Sequence, residues 1–301
     1  MPDGKIGAAD PLVQRLHALA QESAGLPDMG KAIQIYGAII PILMDADLDV
    51  GQIPLQFEQA RTKLEAGQPL LQGLELELDI EAARDLIMLL SAALNKIGDQ
   101  VDLSLSDSAH RIRSAISEDR LDIGYLLSHA VGSDRGAVTS AAQALQLDGN
   151  LLWMLAQNAL KPALRAWCRQ LAPLAEGIQW DKGFCFVCGA GASLGELRDD
   201  NQARHLRCGQ CGSDWRVGRL QCIYCGNEDH NTLSFLQPEG NPNNARAEVC
   251  GKCNGYLKVI TAFAPTASEM LAVEDLATLH LDYIAQEKGF LSSEARRTAS
   301  A

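Results

Sequence analysis

The sequence predicts an α+β protein in three parts. A mostly helical N-terminal domain covers residues 1–178, two small tandem cysteine-rich modules lie within 179–264 (about 183–220 and 221–264), and a closing C-terminal helix with a tail covers 265–301. Apolar residues recur at helical spacing through the first part. Of the nine cysteines, none precedes residue 168, and eight form four C-x-x-C pairs. Ten of the fifteen aromatic residues follow residue 179, where small modules with little aliphatic core need large rings.

The composition is that of a folded protein with an acidic balance. The 301 residues include 26 Lys and Arg against 38 Asp and Glu, a formal charge of −12, with 47% hydrophobic residues. The longest nearly apolar stretch, 32–44, has 13 residues, whereas a membrane span needs about 20. The first residues contain no apolar leader. We therefore expect a cytoplasmic protein without membrane insertion and without a broad nucleic-acid surface.

Helices are predicted in order along the first part. Asp10 and Pro11 start one helix as N-cap and first helical residue, and Pro27 starts the next. Leucines alternate with acids between 67 and 80, which indicates a strand or an extended linker. The other predicted helices cover 80–97, 107–118, 119–131, 137–147 and 148–174, the last with a kink or break at Pro162.

The second part reads as short strands and turns. After Pro265, a capping box of Thr266 and Glu269 starts the closing helix, and Gly289 stops it. A loop tip is predicted at 241–244, where Asn and Pro concentrate. Strands are predicted at 205–207, 215–220, 232–236 and 256–263.

The four C-x-x-C pairs, which we call knuckles, have the spacing of metal sites. A tetrahedral site takes four thiolates, so four knuckles supply two sites. If neighbouring knuckles share an ion, the sequence predicts two ribbon-like units. A cross-braced arrangement, in which the first knuckle pairs with the third, would use the same number of cysteines per site and stays open. The predicted ligands are Cys185, Cys188, Cys208 and Cys211 for one site, and Cys222, Cys225, Cys250 and Cys253 for the other.

Residues that tolerate positive φ follow every knuckle. Gly189, Gly212, Gly226 and Asn254 each come directly after the second cysteine of a pair. A metal knuckle turns its backbone so that N–H groups point at sulfur, which Gly and Asn allow. The sequence therefore predicts two metal ions, either zinc as a structural ion or iron in a rubredoxin-like site.

The sequence gives less support to other functions for these cysteines. Thiol–disulfide oxidoreductases typically use one C-x-x-C pair, and iron–sulfur clusters use a more tightly packed run. A zinc-ribbon module for nucleic acid or for another protein is the main alternative. A nucleic-acid-binding module needs a surplus of basic side chains to bind phosphate. Residues 185–263 have no such surplus, because they contain eight basic and eight acidic side chains. No catalytic motif is visible, so an enzyme is not predicted.

Three remaining features are expected to be structural. Cys168 lies on a helix and is predicted to be a small buried residue. His205 and His230 are expected in loops or at the surface, because eight cysteines already suffice for two sites. The run Arg198, Asp199, Asp200 is expected to be a solvated turn.

The cysteine motifs and the closing segment resemble one known family. The resemblance is carried by C-F-V-C-G at 185–189, L-R-C-x-x-C at 206–211, W-R-V at 215–217, C-x-x-C at 222–225, E-x-C-G-x-C-x-x-Y-L-K at 248–258, and V-E-D-L-A-T-L-x-L-D at 273–282. Together these segments resemble the formate dehydrogenase accessory protein (FdhE) family over about residues 183–290. One departure is Phe186, where the family has proline in the first knuckle.

The resemblance implies a cytoplasmic assembly factor or chaperone rather than an enzyme. It implies a helical N-terminal domain followed by rubredoxin-like modules that bind two metal ions through the eight cysteines, and it favours iron over zinc. It also implies that the catalytic subunit of formate dehydrogenase is the partner. It implies nothing about the oligomeric state.

Overall fold

The computed structural model describes residues 11–22, 27–238 and 245–299. Asp10 and the predicted loop tip at 241–244 lie outside these residues. Helices make up most of the described chain up to residue 175, which confirms the predicted helical N-terminal part. The segments 46–56 and 66–79 are not helical, and Val50 and Leu78 form an isolated bridge between them. The helices are α1 (Pro11–Glu22), α2 (Pro27–Asp45), α3 (Phe57–Glu65), α4 (Ile80–Val101), α5 (Leu103–Ser117), α6 (Ile123–Val131), α7 (Arg135–Ala144), α8 (Gly149–Leu171) and a short 3₁₀ helix (Ala172–Ala175).

Aspartate side chains fix the starts of five of these helices. Each accepts a hydrogen bond from a backbone N–H in the first turn, which satisfies a group that has no partner inside the helix. The capping residues are Asp79, Asp102, Asp122, Asp134 and Asp148. The predicted break at Pro162 does not occur, since α8 continues through it. Pro162 and its neighbours Leu160, Ala163 and Leu164 are all buried, and this packing offsets the lost backbone hydrogen bond.

Six strands of the described chain form one continuous sheet. They are β1 (Leu194–Arg198), β2 (Ala203–Arg207), β3 (Asp214–Arg216), β4 (Leu233–Leu236), β5 (Arg246–Cys250) and β6 (Gly255–Ala262), in the spatial order β3-β2-β1-β6-β5-β4. Each half repeats one pattern, in which a knuckle, two strands, a second knuckle and a third strand follow one another. The halves join where β1 pairs in parallel with β6, with Gly195 opposite Val259, while every other pair is antiparallel. The two predicted units therefore share a sheet.

The closing helical segment is divided. It consists of α9 (Leu271–Ala277), α10 (Leu279–Glu287) and α11 (Ser293–Ala299). Thr278 separates the first two, and its hydroxyl donates to the carbonyl oxygens of Glu274 and Asp275 at 2.9 and 3.0 Å. Such a bond competes with the helical backbone ladder. Gly289 has a φ of 82°, as expected for a residue that ends a helix.

The hydrophobic core continues from the helices into the first half of the sheet. One cluster contains Leu90 of α4 and Trp167 of α8 together with Val187, Leu206 and Trp215 from the cysteine-rich part. The N–H groups of Leu70 and Leu71 donate to the carbonyl oxygens of Phe186 and Val187 at 2.8 and 3.0 Å. Smaller clusters place α9 against α1 and α2, and α10 against β5 and β6. Within the described ranges, no helix is both long and apolar enough to cross a membrane.

Candidate metal centres

The structure brings the eight predicted cysteines together in two groups of neighbouring knuckles. The four sulfur atoms of each group all lie within 4.8 Å of one another. The cross-braced alternative is not formed. The first cysteine group is Cys185, Cys188, Cys208 and Cys211, and the second cysteine group is Cys222, Cys225, Cys250 and Cys253.

The spacing of the sulfur atoms fits a tetrahedral ion. Metal–sulfur distances of about 2.3 Å in a tetrahedron place sulfurs about 3.8 Å apart. In the first group, Cys185 lies 3.5 Å from Cys211 and Cys188 lies 3.5 Å from Cys208. In the second group the corresponding Sγ–Sγ distances are 3.7 and 3.8 Å. A disulfide would need about 2.05 Å, so these are four-thiol sites, a donor set suited to zinc or iron.

The four knuckles have the same backbone turn. In each, the residue after the second cysteine donates its N–H to the carbonyl oxygen of the first cysteine, at 2.8–3.0 Å. These residues have φ values of 78°, 77°, 67° and 54°, for Gly189, Gly212, Gly226 and Asn254. The turn aims backbone N–H groups at sulfur, as Val187 and Cys188 do toward Cys185 Sγ at 3.2 and 3.3 Å. The positive φ expected from the sequence is therefore present at all four positions.

Two polar side chains that the sequence analysis missed also contact sulfur. Ser213 Oγ lies 2.9 Å from Cys185 Sγ, and Asn227 Nδ2 donates to Cys250 Sγ at 3.6 Å. Both residues stand two positions after the second cysteine of a knuckle, and each accepts through its carbonyl oxygen from the first cysteine's N–H. That shared position is a signal that could have found them. Such bonds stabilise thiolate charge and orient the ligands of a metal site.

Hydrogen bonds among the four thiols of the first group lower the pKa of one of them, Cys208. Hydrogen bonds from Cys185, Cys188 and Cys211 lower the pKa of Cys208 well below its usual value. Burial, above all, raises the pKa of Cys185, and hydrogen bonding with Cys185 raises that of Cys188. An ion that enters this group must therefore displace protons from its other thiols.

The second group is more open than the first. Each group has one partly exposed cysteine, Cys188 in the first and Cys253 in the second, and the second group also has the exposed Cys225. The other five cysteines of the two groups are buried. Burial raises the pKa of Cys222 to about 12. Burial also acts on Cys250, but the N–H groups of Cys253 and Lys252 outweigh it and lower its pKa to about 7. The two groups thus share a ligand geometry and differ in their access to solvent.

Helix α8 adds three polar residues beside the first group. Cys168 is 8% exposed, as expected for a small buried residue, and its thiol also hydrogen-bonds with Cys211 and so raises the pKa of that neighbour. Lys161 and Arg165 lie two turns and one turn, respectively, before Cys168 on the same helix. The positive charge of Lys161 interacts with Asp275 and then with Cys208. That of Arg165 interacts with Glu269 and then with Cys211. The helical part therefore contributes to the electrostatics of this group.

A buried ion-pair network lies in the first half of the sheet. Glu196 of β1 is 0% exposed, pairs with Arg198 at 2.7 Å through Nε, and pairs with Arg207 of β2 at 2.8 Å. The prediction that Arg198 lies in a solvated turn is wrong, because this carboxylate draws its guanidinium into the sheet, where it is 5% exposed. His205 lies on β2 rather than in a loop, and its Nδ1 lies 2.7 Å from Asp214 Oδ1. His230 is exposed, as expected.

Comparisons with known proteins agree with the fold and with the cysteine motifs. Residues 220–297 match the family model of the FdhE C-terminal domain. A protein FdhE homolog of Aquifex aeolicus is 36% identical over 126 residues, which are 40% of this chain and 42% of that protein. One of Pseudomonas putida is 32% identical over 196 residues, 55% of this chain and 60% of that protein.

The whole fold is also similar to a solved structure. The crystal structure of the FdhE protein from Pseudomonas aeruginosa matches with a TM-score of 0.61 at 23% identity, over 94% of this chain and 93% of that one. The chain spans less than half the length of the first three relatives that it matches in sequence. The predicted resemblance is nevertheless confirmed: residues 220–297 are similar to the FdhE C-terminal domain, and the fold is similar to that of an FdhE protein.

Proposed function

We propose that this chain is a cytoplasmic accessory protein for formate dehydrogenase maturation, which binds the enzyme's catalytic subunit and is not itself an enzyme. The observation that carries the proposal is the match of residues 220–297 to the FdhE C-terminal domain. The two four-cysteine groups on one sheet support it, because they are the feature on which the family resemblance rests.

We also propose that each group holds one metal ion, iron by preference from the resemblance, or zinc. The eight cysteines of the two groups would be the ligands, with four sulfurs around each ion. A bound iron would supply one-electron chemistry, and either metal would hold the knuckles closed. The chain's own contribution is to stabilise thiolate charge through knuckle N–H groups, Ser213 and Asn227.

The two groups suit different tasks under this proposal. The first has three buried cysteines and no exposed one, so it would mainly stabilise the fold. The second reaches the surface at Cys225, so a partner can approach it. The acidic surplus of the chain lies outside the charge-balanced region 185–263 and would favour a basic client segment.

The test combines metal analysis with client binding by the full chain. Freshly purified protein is expected to contain two metal ions and, with iron, a visible absorption spectrum. It is expected to retain the catalytic subunit of formate dehydrogenase in a pull-down, more weakly as salt rises. Cys225→Ser, which removes a proposed ligand of the open group, is expected to weaken this binding, and Cys168→Ala serves as the matched cysteine control. Failure of the metal-loaded chain to retain the subunit at any salt concentration would contradict the proposal.

A further inference from the structure

Residues 291–296, which we call the strap, follow α10 and lie against the second cysteine group. The Leu291 N–H donates to the carbonyl oxygen of Asn254 at 2.7 Å, and the carbonyl oxygen of Leu291 accepts from the Tyr256 N–H at 3.0 Å. These two bonds stand on either side of Gly255, with which Leu291 forms an isolated parallel bridge. The strap therefore binds the backbone directly after the fourth knuckle.

Arg296 of the strap contacts both knuckles of the second group. Its guanidinium donates to the carbonyl oxygen of Cys253 in the fourth knuckle. The guanidinium carbon also lies 5.0 Å from the centre of the Tyr224 ring, and Tyr224 stands between Cys222 and Cys225 in the third knuckle. A cation over an aromatic face is attracted to the ring. This one side chain thus bridges the two halves of the ligand set.

The backbone that receives the strap is shaped by the turn of the fourth knuckle. Asn254 has a φ of 54° and donates its N–H to the carbonyl oxygen of Cys250 at 2.8 Å. A residue other than glycine keeps such a φ where its surroundings enforce it, and a bound ion holds a knuckle in its folded form. A Cβ at Gly255 would lie 2.5 Å from Tyr224 Cδ2, so the ring packs on the same turn. Loss of the ion would therefore disturb both contacts of the strap.

The strap also reaches the first half of the sheet and the helical part. Ser293 Oγ donates to the carbonyl oxygen of Ala192 at 3.4 Å, and Glu294 pairs with Arg135 of α7 at 2.8 Å. Both side chains of this ion pair are more than a third exposed, so the pair adds little by itself. We therefore expect the contacts with the second group to decide whether the strap stays docked.

We propose that the strap is a metal-dependent switch, which docks on the second group when that group holds its ion, keeps the two knuckles together, and leaves the sheet and α7 when the ion is lost. This rests on the proposed binding of an ion by the second group. Coupling between two equilibria is reciprocal, so a strap that strengthens binding of the ion must itself dock more tightly when the ion is bound. Occupancy of the open group is thereby transmitted to the helical part.

The simpler alternative is that packing alone holds the strap. Phe290, directly before it, packs against the cluster that contains Val249 and Leu281. In that case docking of the strap and binding of the ion would be independent. An Arg296 variant would then lose stability without losing the second ion in preference to the first.

The test uses the full chain loaded with zinc, and it measures hydrogen exchange of the backbone amides at 291–296 together with the release of each ion to a chelator. In wild type, removal of the second ion is expected to speed exchange in the strap at least tenfold and to leave β1 and β2 protected. Cys225→Ser, which removes a ligand of the second group, identifies which ion is released first.

Arg296→Met is expected to release the second ion at least tenfold faster than wild type and the first ion at the wild-type rate. Arg296→Lys keeps the charge and a donor, so it should restore most of the retention. The control is Lys288→Met, an exposed residue just before the strap, which should match wild type.

The wild-type exchange measurement keeps the proposal testable even where a variant fails to fold. Equal exchange of the strap with and without the second ion would overturn the proposal. Release of the second ion from Arg296→Met at the wild-type rate would also overturn it, and so would release of both ions at equally raised rates, which indicates general destabilisation. A chain that binds only one ion at saturating zinc would overturn the metal assignment of the second group together with the switch.

Discussion

Gly212 adopts a φ of 77° directly after the last cysteine of the first group, and a Cβ there would lie 2.5 Å from Ser268 Oγ. Its equivalent in the second group, Gly226, has a φ of 67° but meets nothing closer than 3.9 Å. The two positions therefore share a backbone requirement and differ in the space around them. A comparison of alanine variants at the two positions can therefore distinguish the cost of a positive φ from the cost of a steric clash.

We expect Gly212→Ala to destabilise the protein more than Gly226→Ala. Both variants bear the cost of a side chain at positive φ, about 1 kcal/mol, and only the first adds a clash with Ser268. Thermal unfolding of the two variants, with metal content measured alongside, checks this. Equal losses of stability would show that the Ser268 contact relaxes without cost.

Cys208 and Cys168 offer a second comparison of single residues. We expect Cys208→Ser to lose one metal ion per chain and much of its stability, because a structural four-cysteine site contributes on the order of 10 kcal/mol to folding. Cys168→Ala should keep both ions and lose at most about 3 kcal/mol, as for a small buried side chain. Elemental analysis and chemical denaturation measure both effects. Equal metal content in Cys208→Ser and wild type would refute the ligand assignment.

Elements with a strong local pattern were predictable from the sequence. The apolar stripe of α4 and the aspartate before it identify that helix, and the spacing of cysteines identifies the knuckles. Helix α3 was missed because it buries only Ala60 and Leu64, which make no stripe. Strand β1 was missed because it is buried along its whole length and so shows no alternation.

The environment of the cysteine groups depends on partners far apart in sequence. Glu196 is buried by Arg207 and by the N–H of Thr266, which donates to it at 3.3 Å across 70 residues. No local pattern distinguishes such a glutamate from a surface one. The same holds for Cys168, whose contact with Cys211 depends on how α8 packs on the sheet.

The junction between β1 and β6 decides whether the halves of the sheet behave as one unit. A Cβ at Gly195 would lie 2.9 Å from Val259 Cγ2 and 3.1 Å from Leu257 Cδ2 on β6. We expect Gly195→Val to force the strands apart and cost about 1–3 kcal/mol. Because the sheet is continuous, both metal sites should weaken together in one unfolding transition. Ser234→Val on the exposed edge strand β4 is the control. Two separate transitions, with one metal site unaffected, would contradict a shared sheet as the unit of stability.

The whole molecule has a core that crosses the compositional boundary near residue 178. Leu70 and Leu71 bond to the first knuckle, and Trp167 packs in the same cluster as Val187. We therefore expect residues 1–178, expressed alone, to expose this core and to bind a hydrophobic dye such as ANS, unlike the full chain. Near-UV circular dichroism and dye fluorescence measure this. Cooperative unfolding of the fragment at a Tm close to that of the full chain would establish an independent domain instead.

The unequal enclosure of the two cysteine groups also sets a difference in kinetics. In the first group Cys188 is partly exposed and the other three cysteines are buried, so we expect the lifetime of an ion there to be limited by local opening of the fold. An ion in the second group is reachable at Cys225, where a competing chelator can replace one sulfur at a time. A brief chelator challenge should therefore remove the ion of the second group first and leave a half-loaded protein in which the first group still holds its ion.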